Sequence, residues 1–302
     1  IFDVALQTDG KAVGVGHSSE SGVSRLTVFR LNPDGSLDTE FGDSGIVHVG
    51  GPSGPSHQGQ SLVLEPDGRV VVAGVRGDQL MIMRFLANGS VDAAFGANGV
   101  FVGPTVQVGG FPSRLVRTAT GYRVAAHVPF SGTAGASGMQ CRVIAITTNG
   151  EIDPSFGTVV LPSPSLPSGS VDNCAALAVQ PDDRLVVVGS RRTADDEQAF
   201  AVRLLPSGAP DPGFSDAAVS GAMVRATAVA VDNRGAIAVA GHDKTGLSGA
   251  LVVRLQADGL LDSLFGDAGS TFLELPGDGD VWLDVGDMQA NPDGSLLLGG
   301  GE

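Results

Sequence analysis

A carboxylate on Asp3, a hydroxyl on Ser61, a guanidinium on Arg114 and a second carboxylate on Asp287 each stand seven residues ahead of a turn glycine. Ala176 and Ala228 hold the corresponding places ahead of Asp183 and Gly235. Carboxylates that share a cavity can divide acid and base roles in a hydrolase or lyase. An arginine between acidic and hydroxyl neighbours suits a small polar ligand instead. The next residues along, Val4, Leu62, Leu115, Leu177, Val229 and Met288, are all apolar. Each segment therefore combines one packed face with one open face, as a half-buried strand does.

Other reactive constellations are thin. There is no GxSxG elbow, HExxH helix, GxxxxGK[ST] loop or EF-hand spacing, so no catalytic residues are assigned. His17, His127 and His242 fall after the second strand of non-adjacent repeats and are expected to be solvated rather than to bind a metal. Asp278, Asp280, Asp284 and Asp287 crowd one segment, and Asp195, Asp196 and Glu197 another. Calcium is the one cofactor these acidic loops would suit, although their spacing matches no cation loop. Cys141 and Cys174 lack metal-ligand spacing and can form one bridge.

These positions must be held by repeated elements. Gly, then Asp three residues later, then Phe three further on, recurs five times: Gly35, Asp38, Phe41; Gly89, Asp92, Phe95; Gly150, Asp153, Phe156; Gly208, Asp211, Phe214; and Gly259, Asp262, Phe265. A glycine follows the Phe in four copies, and Ser215 stands there in the fourth. An earlier turn precedes each motif, clearest in LVLEPDGRVVVAG (Leu62 to Gly74), which reads as a hairpin. A third strand and a return strand complete four antiparallel strands per copy. The expected fold is all-β, a β-propeller of four-stranded antiparallel blades with five complete units and a partial sixth. One repeat domain covers 1–302, with units near 1–57, 58–110, 111–171, 172–223, 224–282 and 283–302. Because the last hairpin duplicates the first, the natural chain is expected to continue past Glu302.

The recurring Phe is expected to be a buried plug between neighbouring sheets. The Asp caps its turn or pairs with an arginine eight residues earlier: Arg30, Arg84, Arg203 or Arg254. The third copy has Ala145 in place of that arginine, so Asp153 needs another role.

In units such as ALQTDGKAVGVG and VFRLNPDGSLDTEFGDSGIV, the chain resembles the delta-60 repeat family of bacterial secreted and cell-surface proteins. The resemblance implies a secreted, periplasmic or cell-surface location and no particular activity. A net charge of −15 with two lysines disfavours nucleic acid, and no apolar run is long enough for a membrane span. The favoured function is a noncatalytic binding or scaffold module for an extracellular protein, glycan or small molecule, with Asp3, Ser61, Arg114 and Asp287 as ligand contacts. The alternative is a carbohydrate-active or other hydrolase or lyase with carboxylates in the channel. The insertions Gly50 to Gly59, Pro129 to Gly138 and Leu161 to Ser170 are candidate contact loops.

Overall fold

The structure is a computed structural model that describes residues 1–51, 53–106, 114–131, 137–161, 170–244, 249–274 and 284–301. Its chain divides into two compact bodies, 1–129 with 143–154, and 130–142 with 155–302.

In the first body, β1 (Asp3–Leu6), β2 (Ala12–Glu20), β3 (Val23–Leu31) and β4 (Ile46–Val49) form one antiparallel sheet in chain order. β5 (His57–Leu64), β6 (Val70–Arg76), β7 (Gln79–Phe85) and β8 (Val100–Thr105) form a second of the same order. β9 (Arg114–Thr118) and β10 (Gly121–Ser131) open the third repeat, and β11 (Ser137–Thr147) and β12 (Thr158–Leu161) complete it. In the second body, β13 (Val171–Val179), β14 (Leu185–Arg192) and β15 (Glu197–Leu204) are followed by a helix, α1 (Ala217–Ala222). A four-stranded sheet follows, made of β16 (Met223–Val231), β17 (Ile237–Asp243), β18 (Ala250–Leu255) and β19 (Ser270–Leu273). The hairpin β20 (Asp284–Ala290) and β21 (Leu296–Gly301) comes last.

The fourth repeat therefore departs from the expected four strands, and its sequence explains why. Gly42, Gly96 and Gly266 have φ of +57°, +52° and +54°, and a Cβ at these sites would lie 2.4, 2.4 and 2.1 Å from a carbonyl oxygen of the returning strand. Ser215 carries that Cβ, so the tight return into a fourth strand is closed to it. The chain turns into α1 instead, which places Val219 in the core.

The core lies between successive sheets. Val13, Val15, Leu26, Val28 and Phe41 of the first repeat pack on Leu62, Val70, Val72, Met81 and Phe85 of the second. The alternate residues Val71, Ala73 and Ile82 face the third repeat's Leu115, Tyr122 and Val124. Strand alternation thus sends successive side chains to different seams, both buried, which is why β6 reads as an unbroken apolar run. The same arrangement joins the fourth, fifth and sixth repeats.

Cys141 and Cys174 form a disulfide with a Cα separation of 5.2 Å, joining β11 to β13, which run parallel through the bridge Met139↔Val171. Cys141 stands as far ahead of Asp153 as Leu26 does of Asp38, and by register Cys174 is the counterpart of Gly59, just ahead of the same β-bulge. At the first seam a Cβ on Gly59 would meet Leu26 Cδ1 at 2.3 Å and Val15 Cγ2 at 2.4 Å. One seam position is thus filled by leucine over glycine in one place and by a disulfide in another. The register counterpart of Val15 in the third repeat is Ala125. The triple variant Val15→Ala, Leu26→Cys, Gly59→Cys is expected to form a second disulfide, seen as no alkylated thiol after denaturing alkylation, as in the parent. Two alkylated thiols at these positions would show that the seams are not equivalent.

Candidate functional site

The six positions ahead of the turns are equivalent in register: Asp3↔Val15, Ser61↔Ala73, Arg114↔Ala125, Ala176↔Val188, Ala228↔Ala240 and Asp287↔Gly299. The apolar residues beside them are buried, except Val4, which is 54% exposed on the first strand. Two polar members, Asp3 and Ser61, come together on the first strands of the first body's opening repeats. One oxygen of Asp3 accepts Ser61 Oγ at 3.0 Å and the Leu62 N–H at 2.8 Å, while the other accepts the Val4 N–H. Ser61 Oγ in turn accepts the Leu115 N–H at 3.1 Å, beside Arg114. This row clips three successive first strands through backbone donors. Asp287 accepts the adjacent Met288 N–H at 2.8 Å and is solvent-exposed.

The recurring motif forms a second constellation. In four repeats the motif Asp uses its two oxygens differently. Oδ1 accepts the N–H two residues on, from Glu40, Ala94, Gly213 or Leu264. Oδ2 faces an arginine Nε on the third strand, at 2.7 Å for Arg30 to Asp38 and Arg84 to Asp92, 2.9 Å for Arg203 to Asp211, and 3.3 Å for Arg254 to Asp262. The same guanidinium lies over the motif Phe, 4.7, 4.8, 4.9 and 5.6 Å from the centroids of Phe41, Phe95, Phe214 and Phe265. It also reaches forward, as Nη1 of Arg30, Arg84 and Arg203 donates to the carbonyls of Ala87, Thr148 and Ala257 in the next repeat. The turn that supplies those carbonyls comes close because its glycine lacks a side chain. A Cβ on Gly89 would lie 2.7 Å from Gly42 N, and one on Gly150 2.5 Å from Gly96 N. Arginine, carboxylate, ring and turn together make a latch between repeats.

Phe41, Phe95 and Phe156 are buried as expected, whereas Phe214 and Phe265 are half-buried. Asp38 is held at about 2 by the Lys11 hydrogen bond above all, with the Glu40 N–H and Arg30 assisting against burial. For Asp92, burial pushes upward, but the Ala94 N–H and Arg84 together hold the carboxyl below its usual range. Asp211 is lowered chiefly by the Gly213 N–H, with Arg203 assisting. These carboxylates are fixed in their charged form, which suits a structural anion and not a proton carrier.

The third repeat resolves the role of Asp153. Arg123 Nη2 donates to Asp153 Oδ2 at 3.2 Å, and both side chains are buried. Arg123 pairs with Val116, so by register it takes the place of Val13, Val71 and Val186, the residues opposite the latch arginines. The arginine has moved one strand over and left Ala145 where it would otherwise stand. Residues overlooked in the sequence complete the seams. Gln180 Nε2 donates to Gly235 O at 2.8 Å and Ala257 O at 3.0 Å, and the Tyr122 hydroxyl donates to Glu65. Burial, then Glu65, pushes the Tyr122 phenol up to about 12. Their signal was a Gln or Glu three residues before the turn glycine or its counterpart, as at Gln7, Glu65 and Gln180.

Gln180 also floors an open cleft of about 410 Å³ in the second body, walled by Asp182 and Arg184 of the fourth repeat and Arg234, Ala257 and Asp258 of the fifth. Arg184 faces Asp182 at 3.1 Å and Asp211 at 3.5 Å, while Arg234 is exposed and its guanidinium has no ion-pair partner among the described residues. No three His, Cys, Asp or Glu side chains gather into a metal site among the described residues. Asp278 and Asp280 lie outside them, and Glu197 is held by Arg225 at 3.1 Å. No described helix is long and apolar enough to cross a membrane.

A family model described as "Domain of unknown function (DUF5122) beta-propeller" matches residues 7–41, 65–95 and 180–214. Each matched segment runs from the seam Gln or Glu to the latch Phe. No curated protein sequence is similar to the chain. Among solved structures, a putative 6-phosphogluconolactonase from Bacteroides uniformis is similar at 11% identity, with TM-score 0.53, over 98% of this chain and 76% of that one. Sqt1 from Chaetomium thermophilum is similar at 14% identity, with TM-score 0.49, over 99% of this chain and 66% of that one. This chain thus spans just under two thirds of Sqt1. A protein from Lactobacillus plantarum is similar at 12% identity, with TM-score 0.46, over 96% and 81%. The fold is all-β and propeller-like, with four-stranded antiparallel sheets.

The displaced arginine gives a direct check of the latch. Arg123→Val alone is expected to cost about 3 kcal/mol, the scale for breaking a buried ion pair. Adding Ala145→Arg should recover most of that loss in denaturant unfolding. Additive destabilisation by the two changes would contradict the assignment.

Proposed function

We propose that this chain is a noncatalytic recognition or scaffold module of delta-60-type repeats, carried by an exported bacterial protein. The observation that carries this reading is the use made of its recurring polar groups. The Asp3 carboxylate is filled by Ser61 Oγ and two backbone donors, and the latch aspartates by arginines and turn N–H groups. Groups so engaged hold strands together and are poorly placed to act as acid or base. The Cys141–Cys174 disulfide supports a secreted, periplasmic or cell-surface location, where such bonds persist.

Recognition then falls to exposed positions that differ between repeats. The cleft above Gln180 combines guanidinium donors on Arg184 and Arg234 with carboxylate acceptors on Asp182 and Asp258. That mixture matches the hydroxyls of a glycan, which both donate and accept. Calorimetric titration of the full chain with a panel of neutral oligosaccharides should give saturable binding that weakens about tenfold in Arg234→Ser, the scale of one charge-assisted contact. Mass spectrometry should recover the sugar unchanged. Cleavage of the sugar that is lost in Asp3→Asn would establish the hydrolase reading instead.

A further inference from the structure

Two positions of the motif turn are exposed in every repeat. The first is occupied by Ser36, Ser90, Glu151, Ala209 and Leu260, and the second by Glu40, Ala94, Ser155, Gly213 and Leu264. Polar or small residues fill both in four repeats, and leucine fills both in the fifth. Leu260 is 62% exposed, Leu264 94%, and Leu261 between them 42%. Leu261 has a structural role shared with Leu37 and Val91, since all three lean over a glycine of their own repeat, Gly269, Gly45 or Gly99. Leu260 and Leu264 answer to no such shared need. The first, second and fourth repeats pack onto a following repeat and still expose the second position, so the leucines lie on a face that stacking leaves open.

The turn that presents them is well held. Asp262 accepts the Phe265 N–H through its carbonyl and the Leu264 N–H through Oδ1, and Asp258 Oδ1 accepts the Leu260 N–H. Its rim is acidic. Asp258 and Asp267 are exposed, and the cation nearby in sequence, Arg254, is shared between Asp262 at 3.3 Å and Asp232 at 3.4 Å. An apolar patch set on a fixed turn with carboxylates on both sides complements a segment that carries apolar anchors and positive charge.

We propose that Leu260, Leu261 and Leu264 form a docking surface for a short basic peptide segment of a protein partner. Its apolar side chains sit on the leucines, and its lysines or arginines face Asp258 and Asp267. This deepens the recognition reading; the three leucines stand outside the lining of the proposed glycan cleft, and Asp258 borders both surfaces.

The test uses the full chain and a short fluorescein-labelled leucine/lysine peptide, with a leucine/glutamate peptide as control. The variant Leu260→Ser/Leu264→Glu installs the residues that the first repeat carries at these sites, so the fold is retained. Fluorescence anisotropy should show saturable binding of the basic peptide to the parent, no binding of the acidic one, and a loss of about tenfold or more in the variant, as for removal of interface anchors. Asp258→Asn/Asp267→Asn should also weaken binding. Nonspecific attraction to an acidic protein would instead strengthen with the added glutamate, so equal or tighter binding by the leucine variant overturns the proposal. Absence of saturable binding to the parent does the same. So does a parent dimer in light scattering that the leucine variant abolishes, which would assign the patch to a second copy. Oligosaccharide binding by the leucine variant separates the two readings, because it persists if recognition holds and only the docking surface is wrong.

Discussion

A guanidinium held between a carboxylate and a ring of its own repeat and a carbonyl of the next, as at Arg30, Arg84 and Arg203, is the constraint on which the rest of the structure depends. Arg84 shows it in full, with Asp92 at 2.7 Å, Phe95 at 4.8 Å and the Thr148 carbonyl ahead. A buried charge is costly unless every donor is answered, so the arginine fixes the position of all three partners together. A single sheet of this size cannot bury its apolar faces alone. The latch determines how the next sheet arrives, and the valines of both then meet in register.

The same constraint explains which residues vary. Turn glycines cannot change where the backbone of a neighbouring repeat lies against them, as at Gly89 and Gly150. Where the rule is broken the fold changes locally: Ser215 diverts a strand into α1. Where a latch part is lost another side chain replaces it, as Arg123 does for the residue at Ala145. Seam volume is filled by different means in different places, a disulfide between Cys141 and Cys174 and a leucine over Gly59 at its counterpart. Exposed turn positions carry no such demand, which leaves them available for recognition.

Much of this was legible in the sequence because it repeats. The spacing of Gly, Asp and Phe located the latch, and the two alternatives for the Asp both hold, one on each oxygen. The equivalent first-strand positions are also marked, by their fixed distance ahead of the turns. Their chemistry was not legible, since whether Asp3 meets a ligand or the Leu62 N–H depends on the spacing of neighbouring strands. Arg123 was overlooked because its role appears only across a strand pair, and α1 because the effect of one missing glycine is steric. The acidic positions Asp278 and Asp280 lie outside the described residues.

The central claim is that each latch acts on its own seam. Native-state hydrogen exchange on Arg84→Met, compared with the parent, tests it directly. The account predicts faster exchange at the Gly96 N–H, which donates to Asn149 O, and at the Leu115 N–H, which donates to Ser61 Oγ, with no change at the Asp262 N–H in the other body. Unchanged protection at Gly96, or an equal loss at all three amides, would contradict it.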